Sequence, residues 1–392
     1  MTVNETEMLN ILSSSNKVTL LEPPYKRKYP PLGLAKIHSY VGSGKEVVYQ
    51  RDYQPWGDDL VCVTSLFTFD SQKVLEAISQ IRLLNPSATI LVGGIFASLM
   101  PKSIEVRYPD VKVFVGYSKR LDKCPPRDFD WNVDDPWGTY SYIFTSRGCP
   151  NSCAYCAVNK IEPDTWINPT WKEHIDLDKP NVMLSDNNLS AQPLEHLTEV
   201  CNFIAYHKKR VVFDNGFDCK LITPELAKLL AGLKYTRNGL RLAFDRIEED
   251  GIFQKAIELL REAGVAKGSL MAYVLFNFND KPLDAIYRME ECIRLGVRPY
   301  PTQYSPLNRL DRKNSYIGKH WTKNLAKSFR FFHLMAGYYG KERFVDWVQS
   351  DRAEKSGYRL DEEDWTKLQI RGFNDNQQRT MVMNRNEGIK RE

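Results

Sequence analysis

Short apolar runs alternate with amphipathic stretches along the first 120 residues. The apolar runs are rich in β-branched residues, which predicts strands at 17–24, 46–52, 59–67, 88–95 and 111–117. Between them, residues 32–44 and 71–86 place apolar side chains three and four positions apart and end at Gly or Asn-Pro, which predicts helices. This alternation predicts an α/β domain over residues 1–120 with a doubly wound, Rossmann-like parallel sheet.

A second alternating series begins near residue 141. Its strands are predicted at 141–145, 181–186, 210–215, 240–245, 269–276 and 298–304. Helical stretches separate them at 193–209, 223–233, 253–264 and 282–296. Six such units without a seventh and eighth predict a partial (β/α)6 barrel of the TIM type, or an open curved sheet, over residues 141–305.

Two segments lack this alternation. Residues 121–140 are rich in Pro, Asp and Trp, which predicts a linker. Residues 306–392 form a basic, aromatic region that is predicted to be helical and to end in a frayed polar tail from about Arg359. One helix is predicted from Thr322 to about Gly337, with these side chains facing the core: Leu325, Phe329, Phe332 and Ala336.

Composition narrows the class of protein. Hydrophobic residues make up 42% of the chain and charged residues 26%, which is typical of a folded globular protein. The N-terminus lacks a basic start, and no apolar run reaches the roughly 20 residues that span a bilayer. We therefore expect a cytoplasmic protein without a membrane partner, in which clustered cysteines are metal ligands or catalytic groups rather than disulfides.

The net charge of +5 is unevenly distributed. Between Arg294 and Gly340 the chain has nine basic residues and one acid, interleaved with aromatic residues. Such a mixture suits phosphate contacts and base stacking, although a helix with its lysines in water would have the same pattern. The cations nearest the end of the last predicted barrel strand are candidate contacts for an anionic substrate: Arg298, Arg309, Arg312 and Lys313.

Three of the eight cysteines lie close together, at Cys149, Cys153 and Cys156. A closed zinc site needs four ligands, and no fourth cysteine or pair of histidines follows these three. A [4Fe-4S] cluster on three thiolates leaves one iron open to another ligand. A catalytic cluster is therefore the main hypothesis, with a zinc knuckle as the alternative.

The CxxxCxxC spacing, Gly148 before it and Tyr155 directly before the last cysteine resemble the radical S-adenosylmethionine superfamily. The resemblance implies a [4Fe-4S] cluster held by the three cysteines on the loop after the first barrel strand, with Tyr155 beside the cofactor. It also implies that S-adenosylmethionine chelates the open iron and is cleaved reductively to a 5′-deoxyadenosyl radical, which abstracts hydrogen from the substrate.

The same resemblance implies further cofactor-binding residues. Asp186 and Asn187 follow the second strand, where relatives bind the methionyl ammonium, although a helix N-cap would use the same residue types. Asp245 and Arg246 follow the fourth strand and are candidates for the ribose and the carboxylate, with a surface ion pair as the alternative. Asp218, after the third strand, is a further candidate.

The N-terminal domain is similar to the cobalamin-binding domain of B12-type radical S-adenosylmethionine proteins. The similarity lies in the predicted strand order, in residues 30–34 and 92–95, and in the linker at 125–131. No Asp-x-His-x-x-Gly follows the first predicted strand, and Gly116 to Lys119 replace the usual acidic turn. We therefore expect a shortened domain that has lost cobalamin, with retained cobalamin as the alternative.

Together these features predict a radical S-adenosylmethionine enzyme that acts on an anionic small molecule, such as a nucleotide or modified nucleobase. An electron donor such as flavodoxin or ferredoxin is the expected protein partner. A cobalamin-dependent radical methyltransferase is the alternative enzyme. A non-catalytic protein that binds an iron-sulfur cluster or zinc is the alternative of another class.

Overall fold

The structure is a computed structural model, and it describes residues 1–26, 30–42, 44–126, 138–310, 312–336 and 342–369. The described chain divides into two compact units. The first contains residues up to Asn215 together with Pro306–Lys313, and the second contains Gly216–Ser305 and the described residues from Asn314 onward. No helix in these ranges is both long enough and apolar enough to cross a membrane.

A six-stranded parallel sheet organises the N-terminal part of the first unit. Its strands are β1 (Thr2–Val3), β2 (Lys17–Leu21), β3 (Glu46–Gln50), β4 (Leu60–Ser65), β5 (Thr89–Gly94) and β6 (Lys112–Phe114). Their order across the sheet is β3-β2-β4-β5-β6-β1. The predicted parallel sheet is confirmed, and the chain reverses its direction of progress between β2 and β4, which is where ligands bind in open sheets of this kind.

Helices cover both faces of this sheet. They are α1 (Glu5–Ser14), α2 (Leu32–Val41), α3 (Ser71–Leu84), α4 (Ile95–Leu99), α5 (Pro101–Glu105) and α6 (Lys119–Asp122). Alternate residues of β4 point to opposite faces, since Val61 and Val63 pack with α3 and α4, whereas Leu60 and Cys62 pack with α1 and α2. The predicted linker, 121–140, begins within α6, and its residues 127–137 lie outside the described ranges.

Sequence analysis did not predict α1. This helix begins with a capping box, in which Asn4 Oδ1 accepts from the Glu7 amide and Glu7 Oε2 accepts from the Asn4 amide, both at 2.9 Å. Met8 and Leu12 form its buried side. The Asn-x-x-Glu pattern before an apolar pair is therefore the signal that identifies it.

The second series of strands also forms a six-stranded parallel sheet. Its strands are β7 (Tyr140–Ile143), β10 (Asn181–Leu184), β11 (Arg210–Phe217), β12 (Lys234–Ala243), β13 (Leu270–Phe276) and β14 (Arg298–Gln303), which follow one another in chain order. Two short strands, β8 (Ser146–Arg147) and β9 (Trp166–Ile167), pair antiparallel beside β7. The helices of this series are α7 (Val158–Ile161), α8 (Leu194–Tyr206), α9 (Pro224–Ala231), α10 (Ile252–Glu262) and α11 (Pro282–Arg294).

The C-terminal region contains α12 (Lys323–Phe331), a π-helical turn (Phe332–Ala336), α13 (Phe344–Trp347), α14 (Asp351–Lys355) and α15 (Glu362–Gln369). Leu325, Phe329 and Phe332 are buried in the predicted helix, whose N-cap Thr322 accepts from the Leu325 amide. Gly337 and the side chain of Ala336 lie outside the described part. The predicted frayed tail is wrong for its first residues, because α15 forms there and buries Leu368.

Candidate functional site

The three cysteines lie on the loop that follows β7 and β8. Each of the three side chains is half-buried, and none of the eight cysteines, all of which lie in described ranges, forms a disulfide. The loop turns at its end, where the Cys156 amide donates to the Cys153 carbonyl at 3.0 Å. Tyr155 is half-buried between these two cysteines. The loop thus presents three reduced thiols within eight residues, as the sequence predicts.

Two of the thiols accept hydrogen bonds from the protein. Asn188 Nδ2 donates to Cys149 Sγ at 3.3 Å, and the Val158 amide donates to Cys156 Sγ at 3.5 Å. Donors of this kind stabilise a cysteine sulfur in its thiolate form and tune the metal to which it is bound. Asn188 follows β10 and is 5% exposed, so it is fixed in place before any metal binds.

The cysteine loop does not form a site for a single metal ion in this structure. In the described ranges no three or more His, Cys, Asp or Glu side chains are arranged to hold one metal ion. In a [4Fe-4S] cluster each cysteine binds a different iron, so the sulfurs need not converge on one point. The residues that would hold such a cluster are three half-buried thiols, two of which accept hydrogen bonds from N–H groups.

Gly148 shapes the entry to the cysteine loop. Its φ is +79°, and a Cβ added there would lie 2.3 Å from the Asp164 carbonyl oxygen, so only glycine fits. Its amide donates to Glu162 Oε2 at 2.8 Å, and Arg147 Nη1 donates to Glu162 Oε1 at 2.9 Å. One carboxylate after the loop therefore holds the two residues that precede it.

Asp186 lies at the end of β10 and is 4% exposed. Its Oδ2 accepts from the Thr145 amide at 3.2 Å, and its Oδ1 accepts from the Thr145 and Ser146 hydroxyls at 2.7 Å and from the Ser146 amide. Burial raises the pKa of Asp186, against the opposing effect of these hydrogen bonds. Asp186 thus connects the end of β10 to the end of β7, and its role toward the methionyl ammonium stays a prediction.

Asn187 and its neighbours form a second set of contacts at the same edge. Asn187 Nδ2 donates to Glu162 Oε2 at 2.6 Å, while Asn215 Nδ2 donates to the carbonyls of Ser185 and Asp186 at 2.9 and 3.2 Å. Asn187 after β10 thus contacts the carboxylate that holds the cysteine loop, and Asn215 within β11 holds the backbone at the end of β10. The sequence indicated this edge, but it did not indicate that Asn188, rather than Asn187, contacts a cysteine.

Arg147 is a site residue that sequence analysis missed. Its guanidinium binds both oxygens of Asp122 and lies 3.5 Å from the centroid of the Phe144 ring. Burial by itself would raise the pKa of Asp122, but Lys36 and Arg147 hold it well below its usual range. The only sequence signal is the position of Arg147, directly before Gly148 and Cys149.

In the second unit, the predicted cofactor residues make local contacts. Asp218 Oδ1 accepts from the Lys220 amide at 3.1 Å and caps a short 3₁₀ turn. Asp245 Oδ1 accepts from the Leu275 amide at 3.0 Å. Arg246 is exposed and forms an ion pair with Glu249 at 3.3 Å. The Arg246–Glu249 contact is the surface ion pair that the sequence left open as an alternative, and binding of cofactor stays a prediction for all three residues.

The predicted substrate cations are all exposed: Arg298, Arg309, Arg312 and Lys313. In the first unit, Lys313 Nζ lies 5.4 Å from the centroid of the Phe69 ring, and Pro306, in the same segment, accepts from the Thr68 hydroxyl at 3.4 Å. Residues 306–313 therefore pack against the loop that follows β4. In the second unit, Arg298 begins β14.

A cation that the sequence did not indicate lies on the second unit's sheet. Leu240, Leu242 and the residues paired with them on β13 are buried beneath the helices. Arg241 lies on the opposite face, where its Nη1 donates to the Tyr273 hydroxyl at 2.7 Å, and Tyr273 packs edge-on against Tyr300 at 5.9 Å. All three side chains are half-buried. The sequence pattern that could have indicated this cation is a charged residue between two leucines in a strand.

No protein-family model matches the chain, and no curated protein matches it. Among solved structures, the carboxyl transferase domain from Rhizobium etli pyruvate carboxylase with 3-hydroxypyruvate is 11% identical, with a TM-score of 0.17. That alignment covers 92% of this chain and 57% of the other, so the chain spans less than two thirds of that structure. At this TM-score the similarity carries no argument about fold or function.

Proposed function

We propose that the protein is a radical S-adenosylmethionine enzyme in which Cys149, Cys153 and Cys156 hold a [4Fe-4S] cluster. The single observation that carries the proposal is the CxxxCxxC loop after β7, with Asn188 and the Val158 amide donating to two of its sulfurs. When bound, the cluster supplies one electron for reductive cleavage of S-adenosylmethionine, which yields a 5′-deoxyadenosyl radical that abstracts hydrogen from the substrate.

The protein's own residues then have three tasks. The cysteines bind three irons, and the N–H groups that contact Cys149 and Cys156 favour the thiolates. Glu162 and Arg147 hold the loop that carries them. Asp186 and Asn187, with Tyr155, are proposed to line the cofactor, and Asp218, Asp245 and Arg246 are proposed as further cofactor contacts.

An anionic substrate remains part of the proposal. It is supported by Arg241, whose guanidinium donates to the hydroxyl of Tyr273, which in turn packs against Tyr300. A cation that contacts one ring of an aromatic pair suits a planar ligand that carries a phosphate or carboxylate, such as a nucleotide. The exposed cations Arg298, Arg309, Arg312 and Lys313 are proposed to add to its attraction. A small electron carrier, flavodoxin or ferredoxin, would reduce the cluster.

We further propose that the N-terminal domain is derived from a cobalamin-binding fold but has lost the cofactor. The crevice between the carboxyl ends of β2 and β4 is where such a sheet binds a ligand. Here Tyr25 is 3% exposed and its hydroxyl donates to the Thr64 carbonyl at 3.1 Å, while Glu22 is 2% exposed and accepts from the Tyr49 hydroxyl. The buried Tyr25 side chain, which bridges to β4 at this point, supports the loss of the corrinoid.

Anaerobic reconstitution with iron and sulfide tests the proposal. We expect about four irons per chain and substrate-independent, slow release of 5′-deoxyadenosine from S-adenosylmethionine under a strong reductant. Addition of S-adenosylmethionine should also change the electron paramagnetic resonance spectrum of the reduced cluster. Stoichiometric zinc in place of iron would contradict the proposal and favour a non-catalytic metal protein, and corrinoid absorbance after growth with cobalamin would favour the methyltransferase.

A further inference from the structure

Four buried charged side chains form a continuous chain within the first unit. Lys36 donates to Asp122 Oδ1, Arg147 binds both Asp122 oxygens at 2.8 and 2.9 Å, and Arg147 Nη1 donates to Glu162 Oε1 at 2.9 Å. Their side chains are between 5% and 12% exposed. Cations and carboxylates alternate, so this buried charge chain of Lys36, Asp122, Arg147 and Glu162 is neutral.

One end of the buried charge chain closes the cysteine loop. Glu162 Oε2 accepts from the Gly148 amide at 2.8 Å and from Asn187 Nδ2 at 2.6 Å. Gly148 directly precedes Cys149, and Glu162 follows α7, the helix after Cys156. The loop therefore begins and ends at the same carboxylate, whose orientation is fixed by Arg147.

The other end belongs to the N-terminal sheet domain. Lys36 lies on α2, which packs on the first sheet, and Asp122 ends α6. The Asp122 backbone carbonyl also accepts from Asn168 Nδ2 at 2.9 Å, just after β9, which pairs with the strand that carries Arg147. The N-terminal domain supplies no cysteine to the loop, but charge-assisted hydrogen bonds connect it to Arg147, directly before the loop.

Stability alone is a poor explanation for this arrangement. Buried ion pairs contribute little net stability, because apolar side chains of the same volume usually stabilise an interior as well. What a two-bond arginine-carboxylate pair adds is a fixed geometry. Here the pair with Asp122 fixes the position of Arg147. Arg147 in turn orients Glu162, which binds the first residue of the cysteine loop.

We propose that the N-terminal domain serves as a brace for the cysteine loop, in which Lys36 and Asp122 are positioning residues that act through Arg147 and Glu162. The inference rests on the proposed function in one respect, since it is the cluster that would require the loop to be held. It assigns the domain a role that needs no cofactor of its own.

The test compares three variants of the full-length chain. Lys36→Met removes the first cation of the buried charge chain, Lys36→Arg restores a cation, and Lys172→Met is a matched control because Lys172 pairs with Glu199 at a side-chain exposure of 47%. Hydrogen exchange is measured on the metal-free proteins over residues 145–163 and over the β5 region. Iron release to a chelator is measured on the reconstituted proteins.

In Lys36→Met we expect amide exchange to accelerate about tenfold more over residues 145–163 than at β5, where only the general loss of stability acts, and iron release to accelerate severalfold. Lys36→Arg and Lys172→Met should behave like the wild type. Unchanged exchange over 145–163, or equal acceleration in both regions, would overturn the brace. If Lys36→Met does not fold, Asp122→Asn replaces it, since that change removes the charge that faces Lys36 and Arg147 but keeps one oxygen as an acceptor, and the same outcomes decide the test.

The two ideas fail in different ways. A wild-type chain that takes up no iron contradicts the proposed function, whereas the exchange measurement on the metal-free protein still decides whether the brace exists. Conversely, a wild-type chain with a full cluster and a Lys36→Met variant with unaltered exchange and iron retention would refute the brace alone.

Discussion

Arg147 and Asp122 form an ion pair with two hydrogen bonds, from Nε to Oδ2 at 2.8 Å and from Nη2 to Oδ1 at 2.9 Å. Twenty-five residues separate them in the chain. The pair is almost completely buried, and Lys36 adds a second cation to the same carboxylate. Asp122 therefore stays ionised inside the protein, directly beneath the cysteine loop.

Replacing Arg147 by methionine should be strongly destabilising. The change leaves two carboxylates, Asp122 and Glu162, with only Lys36 to balance them in a buried site, and removal of one partner of such a group costs about 3–5 kcal/mol. Urea unfolding measures the loss. The matched control is Arg246→Met, which breaks an exposed pair and should cost less than about 1 kcal/mol. Equal losses in the two variants would contradict the prediction.

Gly148→Ala should destabilise the protein much more than Gly251→Ala does. Both glycines have a positive φ, +79° and +82°, so in each variant the alanine backbone conformation is less favourable by about 1 kcal/mol. A Cβ at Gly251 meets nothing within 4 Å, whereas a Cβ at Gly148 would lie 2.3 Å from the Asp164 carbonyl. The extra loss in Gly148→Ala should therefore exceed about 2 kcal/mol by urea unfolding, consistent with overpacking against backbone.

Many of the longer strands and helices were predictable from the sequence, because they follow from local patterns. Apolar runs at 59–67 and 88–95 contain β4 and β5, and the three-and-four spacing at 71–86 contains α3. The first helix, α1, was missed although its capping box was visible; its apolar residues all lie between Met8 and Leu12.

The site was only partly predictable. The cysteine spacing identifies the loop, and polar residues at strand ends identify its edge, but neither says which donor faces which acceptor. Arg147 contacts Asp122 and Glu162 because α2, α6 and α7 pack together, and no local sequence pattern predicts those pairs. In the same way, Asn188 contacts Cys149 while Asn187 contacts Glu162, because the backbone turns after β10.

Asp186→Asn should weaken the fold as well as any cofactor binding. The carboxylate accepts four hydrogen bonds from Thr145 and Ser146, and an amide can accept at only one of its two positions, so at least one buried donor loses its partner at about 1–3 kcal/mol. Asp218→Asn, which alters one amide cap, should cost about 1 kcal/mol or less. Urea unfolding without S-adenosylmethionine measures both, and an unaffected Asp186→Asn would show that these bonds are dispensable.

Cys153→Ala should abolish reductive cleavage of S-adenosylmethionine and leave the fold largely intact. The cysteine is half-buried on a loop, so its removal leaves little cavity, whereas a cluster with two protein ligands is not held. The matched control is Cys124→Ala, a half-buried cysteine outside the motif that should keep the iron content and the deoxyadenosine yield of the wild type. Retained deoxyadenosine production in Cys153→Ala would refute the ligand assignment, and far-ultraviolet circular dichroism checks the fold.

Acid should destabilise the C-terminal helices through His333. This residue is 3% exposed among the rings of Phe329, Phe332 and Phe344, and burial lowers its pKa from 6.5 to about 3. Between those values the unfolded chain binds a proton that the folded chain does not, so stability falls as the pH drops below 6.5. From pH 7 to pH 5 the loss from this group is about 2 kcal/mol.

His333→Leu should therefore be less sensitive to acid than the wild type. The Nε2 atom has no hydrogen-bond partner in the described part of the chain, so the substitution leaves no donor or acceptor stranded on another residue. Urea unfolding at pH 7 and pH 5 should show the loss shrinking by about 2 kcal/mol in His333→Leu. The matched control is His207→Leu, which replaces a half-buried histidine beside Phe203. In that variant the loss of stability between pH 7 and pH 5 should be as large as in the wild type. Equal pH dependence in the two variants would show that His333 is protonated in the folded protein and would contradict the prediction.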